Sequence, residues 1–142
     1  MTKVDFYLLG AADAGSRERT ACRLAEKAWR LGHRVYLLVP DKTAALALDD
    51  LLWTFSQSSF VPHAVLEDAA DADAHPVLIG HGEPPAALND VLVSLAGEVP
   101  PWFSRFARVA ELVGAADDDK IRARERFRFY RERGYPLDTH NL

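Results

Sequence analysis

The sequence predicts an α/β protein, a Rossmann-like three-layer α/β/α sandwich on a mostly parallel sheet. Short apolar runs recur along the chain, each bounded by Gly, Pro or Asp, and segments with helical periodicity alternate with them. The runs are continuously apolar and do not alternate with polar residues, the pattern of strands covered on both faces.

Residues 4–9 (Val-Asp-Phe-Tyr-Leu-Leu) form the first run and stop at Gly10. Ser16 then opens a helical pattern through Ala21, Leu24, Ala25, Ala28, Trp29 and Leu31, closed by Gly32. A second strand is expected over 34–39. Pro40-Asp41 follows it, and Asp41 is suited to cap a helix running through Leu46, Leu48, Leu51, Leu52 and Trp53. Further strands are expected over 77–79, 91–95 and 109–113. Residues 67–76, small and acidic, read as a solvated connection, and 97–103 as a turn into a short helical piece carrying Trp102, Phe103 and Phe106. With 142 residues, 49% of them hydrophobic and 27% charged, the chain matches one domain, residues 1–142, able to bury a core of its own.

Composition removes several function classes. The single cysteine, Cys22, has no partner for an internal disulfide, and neither a leader pattern nor an eighteen-residue apolar run is present, so the cytoplasm is the expected compartment and no membrane partner is expected. A net charge of −4 argues against a general nucleic-acid binder, and no direct sequence-specific contact with nucleic acid is expected. The charge is unevenly spread. Residues 120–134 hold seven basic and two acidic side chains, a local balance of +5 that leaves −9 on the remainder. A basic rod on an acidic body suits a compact acidic ligand better than duplex DNA.

Motifs for catalysis are weak. The loop after the first strand, Gly10-Ala11-Ala12-Asp13-Ala14-Gly15-Ser16, lacks G-x-G-x-x-G. Its Gly10 and Gly15 have P-loop spacing, but Ser16-Arg17 stands where Lys-Ser/Thr is required, and Asp13 brings a negative charge to the phosphate position. A turn before a helix is the expected role. Asp71, Asp73 and His75 alternate in an Ala-rich loop with no second cluster at ligand spacing, so neither a metal nor a cofactor is expected. His33 follows a helix-ending Gly, His81 lies in a Gly-His-Gly turn, and Cys22 sits within a helix among Ala, Leu and Arg; all three read as structural. No Ser-His-Asp order or paired carboxylate set stands out.

The C-terminal helix is more informative. At 3.6 residues per turn, Lys120, Arg124, Arg128 and Arg131 fall within an arc of roughly 80°, beside an apolar stripe of Ala123, Phe127 and Tyr130. A ligand along that seam could offer carboxylates to the cations and an apolar group to the stripe. The competing reading is a solvated face with i,i+4 pairs to Glu125 and Glu132. Residues 48–63 are equally unusual: Trp53, Phe55 and Phe60 bracket the polar run 56–59, ahead of Val61-Pro62-His63.

Three stretches together carry a family resemblance: Asp5-Phe6-Tyr7-Leu8-Leu9; Leu48-Asp49 with Leu52-Trp53 and Ser59-Phe60-Val61-Pro62-His63; and Ala123-Arg124-Glu125-Arg126-Phe127 with Tyr130-Arg131 and Gly134-Tyr135. In this order, over essentially the full length, they resemble the chi subunits of bacterial DNA polymerase III. The resemblance implies a non-catalytic accessory protein of the clamp-loader assembly, with a Rossmann-like fold that has lost nucleotide chemistry. It implies two partners, the psi subunit and the C-terminal tail of single-stranded DNA-binding protein, which ends in an Asp-rich stretch, a hydrophobic residue and a terminal Phe. Trp53, Phe60, Val61, Pro62 and His63 match the psi-contacting region, with His63 a hydrogen-bonding interface residue. Lys120, Arg124 and Arg128 match the contacts to the acidic tail, and Val113, Trp102 and Thr139 the wall of its phenylalanine pocket; Arg131 joins them on helical geometry alone. The alternative is a small nucleotide- or nucleic-acid-binding α/β enzyme using the loop after the first strand.

Overall fold

The computed structural model describes residues 1–10, 15–58, 60–66 and 75–142. The elements are β1 (Lys3–Leu8), α1 (Ser16–Arg30), β2 (Val35–Leu38), α2 (Lys42–Thr54), β3 (His63–Val65), β4 (Val77–Gly80), β5 (Val91–Ser94), a 3-10 turn (Phe103–Arg105), β6 (Arg108–Val113), α3 (Asp117–Glu132) and β7 (Leu137–Asn141). Among the described residues, seven strands form one sheet in the order β3-β4-β2-β5-β6-β1-β7, with every pairing parallel.

Two apolar layers sandwich that sheet. On one face α1 and α2 lay Ala21, Cys22, Ala25, Ala45, Leu48 and Leu52 over the side chains of Val35, Leu37, Val77, Ile79, Val93, Ala110 and Leu112. On the other, α3 and the 3-10 turn lay Ala123, Tyr130, Phe103 and Phe106 over Val4, Phe6, Tyr36, Leu78, Leu92 and Val109. All four residues of β2 and all four of β4 are buried, which is why they read as uninterrupted apolar runs.

Local chemistry sets the helix ends. The Asp41 carboxylate accepts from the Ala44 amide at 2.8 Å, supplying one of the hydrogen bonds that the first turn of α2 lacks. At the end of α1, Gly32 takes φ of 90°, which allows its own amide and that of His33 to return to Trp29 and Ala28. The carbonyls of that last turn are thus satisfied by backbone, and the His33 side chain bonds Asp90 instead, 3.1 Å away. No helix among the described residues is long and apolar enough to cross a membrane.

Two strands lie outside the sequence expectations, and both are edges. β3 has only three residues, and β7 reads Leu-Asp-Thr-His-Asn, with no apolar run at all. An edge strand that is covered incompletely needs no continuous apolar signal.

Candidate functional site

β1 and β6 are neighbours in the sheet, yet β1 leads to α1 on one face and β6 to α3 on the other. Diverging connections open a crevice at the carboxyl ends of such a strand pair. A cavity of about 230 Å³ occupies it. Its apolar lining comes from Phe6, Leu8 and Leu9 of β1 and the residue after it, Val113 at the end of β6, and Ala123 and Phe127 of α3. Thr139 of β7, in register with Phe6, forms the outer wall. Lys120 and Arg124 complete the lining from the exposed side of α3. For scale, an engineered apolar cavity of about 150 Å³ accepts benzene, so a phenyl ring fits.

Lys120, Arg124, Arg128 and Arg131 are exposed and take part in no ion pair among the described residues, and Glu125 and Glu132 hold none of them. The expected alternative of an internally paired face is therefore not what the helix adopts. Arg128 and Arg131 lie further along α3 than the cavity lining and extend the positive surface toward the end of the helix.

Arg126 points the other way. It is 7% exposed, gives Nε–H to Glu111 Oε1 at 3.1 Å and a second N–H to the Gly97 carbonyl at 3.0 Å, while the Tyr130 hydroxyl donates to Glu111 Oε2 at 2.7 Å. Burial raises the Glu111 carboxyl above its ordinary value, against the opposing pull of Arg126 and Tyr130. This buried trio fixes how α3 sits on β6; in the sequence Arg126 is one of the seven basic residues of 120–134, outside the arc of Lys120, Arg124, Arg128 and Arg131.

Trp102 does not belong to the cavity. The turn after β5 carries it over β2, where its ring centroid lies 6.0 Å from those of Tyr36 and Phe106, and it lines a separate cleft with Pro40, His81 and Pro100. Trp102, which the resemblance matches to the pocket wall, is thus placed beside Tyr36 of β2 and outside the lining of this cavity.

At the opposite edge, Trp53 in the last turn of α2, 54% exposed, and Phe60 in the segment after it, 59% exposed, have ring centroids 5.5 Å apart. Pro62 beside them is half-buried. Val61, however, is wholly buried in the core shared with Leu48 and Leu52, and the His63 imidazole lies beneath Trp53 at 4.7 Å between centroids. Its Nδ1 is 2.6 Å from the Val61 carbonyl oxygen and its Nε2 is 3.1 Å from Asp49 Oδ1. Val61 and His63, which the resemblance matches to the psi-contacting region, are thus buried beneath the exposed aromatics. Both are held down where the chain enters β3 alongside α2, leaving Trp53, Phe60 and Pro62 as the accessible apolar patch.

The Gly10 amide donates to the Leu142 carbonyl at 3.2 Å, so the first glycine of the would-be phosphate loop is already engaged. Asp13 lies outside the described residues, as do Asp71 and Asp73; among the described residues no cluster of three or more His, Cys, Asp or Glu side chains suits a metal. Cys22 is buried in α1, and burial pushes its thiol up to about 12, far from the thiolate a nucleophile needs.

Comparison with known proteins agrees with the early resemblance. The family model described as DNA polymerase III chi subunit, HolC, matches residues 1–138. The DNA polymerase III subunit chi of Pseudomonas aeruginosa is 48% identical over 142 residues, covering 100% of this chain and 98% of that protein. Those of Escherichia coli K12 and Haemophilus influenzae are 32% and 30% identical, covering 98% and 96% of this chain and 97% and 95% of theirs. The fold, the sequence motifs and full-length similarity to three chi subunits agree: the chain belongs to the DNA polymerase III chi subunit family.

Proposed function

We propose that the protein is a non-catalytic adaptor of the DNA polymerase III clamp-loader complex, linking the psi subunit to the acidic C-terminal tail of single-stranded DNA-binding protein. Family membership supports a role in DNA replication. One observation carries the finer reading: an apolar cavity sized for a phenyl ring lies next to Lys120 and Arg124, cations with no ion-pair partner among the described residues. A Phe-terminated tail supplies the complement, its ring entering the cavity, its terminal carboxylate meeting Arg124 and Lys120, and its upstream acids meeting Arg128 and Arg131. The patch of Trp53, Phe60 and Pro62 is then the psi surface; exposed aromatic anchors of this kind dominate interface energetics.

Fluorescence anisotropy of a labelled acidic, Phe-terminated peptide tests the tail site. Wild-type protein should bind at micromolar concentration, about −8 kcal/mol, weakening steeply as salt rises. Arg124→Ala should weaken binding about tenfold or more with the melting temperature unchanged, since a charge-assisted hydrogen bond contributes about 1.5–3 kcal/mol. Thermal stabilisation by a nucleotide, together with indifference of peptide binding to Arg124→Ala, would instead favour an enzyme using the loop after β1.

A further inference from the structure

We infer that His140 is a positioning residue for the cavity, holding its outer wall in place from the opposite face of the sheet through Asp5. This rests on the reading of the cavity as a tail-binding pocket.

β7 supplies the wall through Thr139, yet little of β7 is anchored by apolar packing. None of its five residues is buried; Leu137 and His140 are half-buried and the other three exposed. It pairs only with β1, as the outermost strand. What β7 has in place of core packing is a polar clasp. Side chains alternate across a strand, so Thr139 faces the cavity while Asp138 and His140 face the α1 side. There the His140 Nε2 lies 3.0 Å from Asp5 Oδ1, and its ring stacks on Tyr7 with centroids 4.7 Å apart and planes 18° from parallel. Asp138 is bonded by the Lys3 ammonium, which also stands 3.5 Å from Asp5 Oδ1.

Asp5 is the centre of that clasp. Its side chain is 4% exposed, and its second oxygen accepts from Arg108 at 2.7 Å. Burial by itself would raise this carboxyl, but hydrogen bonds from His140 and Arg108, with the nearby charges of Arg108 and Lys3, outweigh it and hold the group below its ordinary value. A buried carboxylate in a fixed network is a firm anchor point, because leaving it short of partners is costly. Two adjacent residues of one strand therefore have divided tasks: Thr139 touches the space a ligand would fill, and His140 sets where Thr139 stands. The backbone of the chain end adds to the same fixation, with the Leu142 amide donating to the Leu8 carbonyl at 2.9 Å.

The test compares two peptides, the acidic tail ending in Phe and the same tail lacking that residue, on wild type, His140→Ala and His140→Gln, with melts run alongside. Gln can still donate to Asp5; Ala cannot. Wild type should prefer the Phe-terminated peptide. His140→Ala should cut that preference about fivefold, the loss of one hydrogen bond's worth, and leave affinity for the truncated peptide unchanged. His140→Gln should restore most of it. A general loss of stability would lower the melting temperature and weaken both peptides alike, so that pattern overturns the positioning role, as does a His140→Ala preference equal to wild type. If wild type itself shows no preference for the terminal Phe, the pocket reading fails and this inference falls with it.

Discussion

Arg124 and Arg126 stand two positions apart on α3 and serve opposite purposes. Arg124 is exposed at the cavity, whereas Arg126 compensates a fully buried carboxylate. The consequences of removing them differ accordingly. Arg126→Ala leaves Glu111 buried without its cation, and we expect a loss of about 3–5 kcal/mol in urea unfolding, the range for breaking a buried pair by one partner. Arg124→Ala should leave the unfolding midpoint in place and act on ligand binding alone. Cys22 offers a second check on the core. With its thiol raised to about 12 and its side chain enclosed between α1 and the sheet, it should resist alkylation by iodoacetamide at neutral pH in the native protein and react on unfolding. Rapid native modification would contradict the packing of α1 described above.

Among the elements, those buried on both faces were legible and those at the margins were not. β2 and β4 announce themselves because every residue meets an apolar layer, and α2 because Asp41 marks its start. β3 and β7 escape detection because edge strands need no apolar continuity, and the polar residues of β7 make a clasp that periodicity cannot reveal. The candidate site divides in the same way. Helical spacing groups Lys120, Arg124, Arg128 and Arg131, because angle along a helix follows directly from residue number. Val113 and Thr139 came only from the family resemblance; nothing in their local sequence brings strands 26 residues apart to one cavity. Trp102 likewise came only from the resemblance, and its local sequence does not reveal that the turn sets it beside Tyr36 of β2, outside that lining. The burial of Arg126 is not legible because its partner lies on another element, β6.

For the molecule as a whole, sheet order is what makes an adaptor feasible. The exposed aromatics Trp53 and Phe60 flank β3 at one edge, and the cavity lies at β1, five strand positions away. At about 4.8 Å per strand the two surfaces are separated by about 24 Å, with α2 on one face and α3 on the other. Partners docking at these places would not compete for the same residues. The central claim, simultaneous engagement of both surfaces, is tested most directly by the anisotropy of the labelled Phe-terminated peptide, first with this protein alone and then with unlabelled psi subunit added. The account predicts two successive rises, the second reporting a larger complex with the peptide still bound, with Trp53→Ala abolishing the second rise and leaving the first. A fall in anisotropy when psi is added, showing that psi displaces the peptide, would contradict it, as would a second rise that survives Trp53→Ala unchanged.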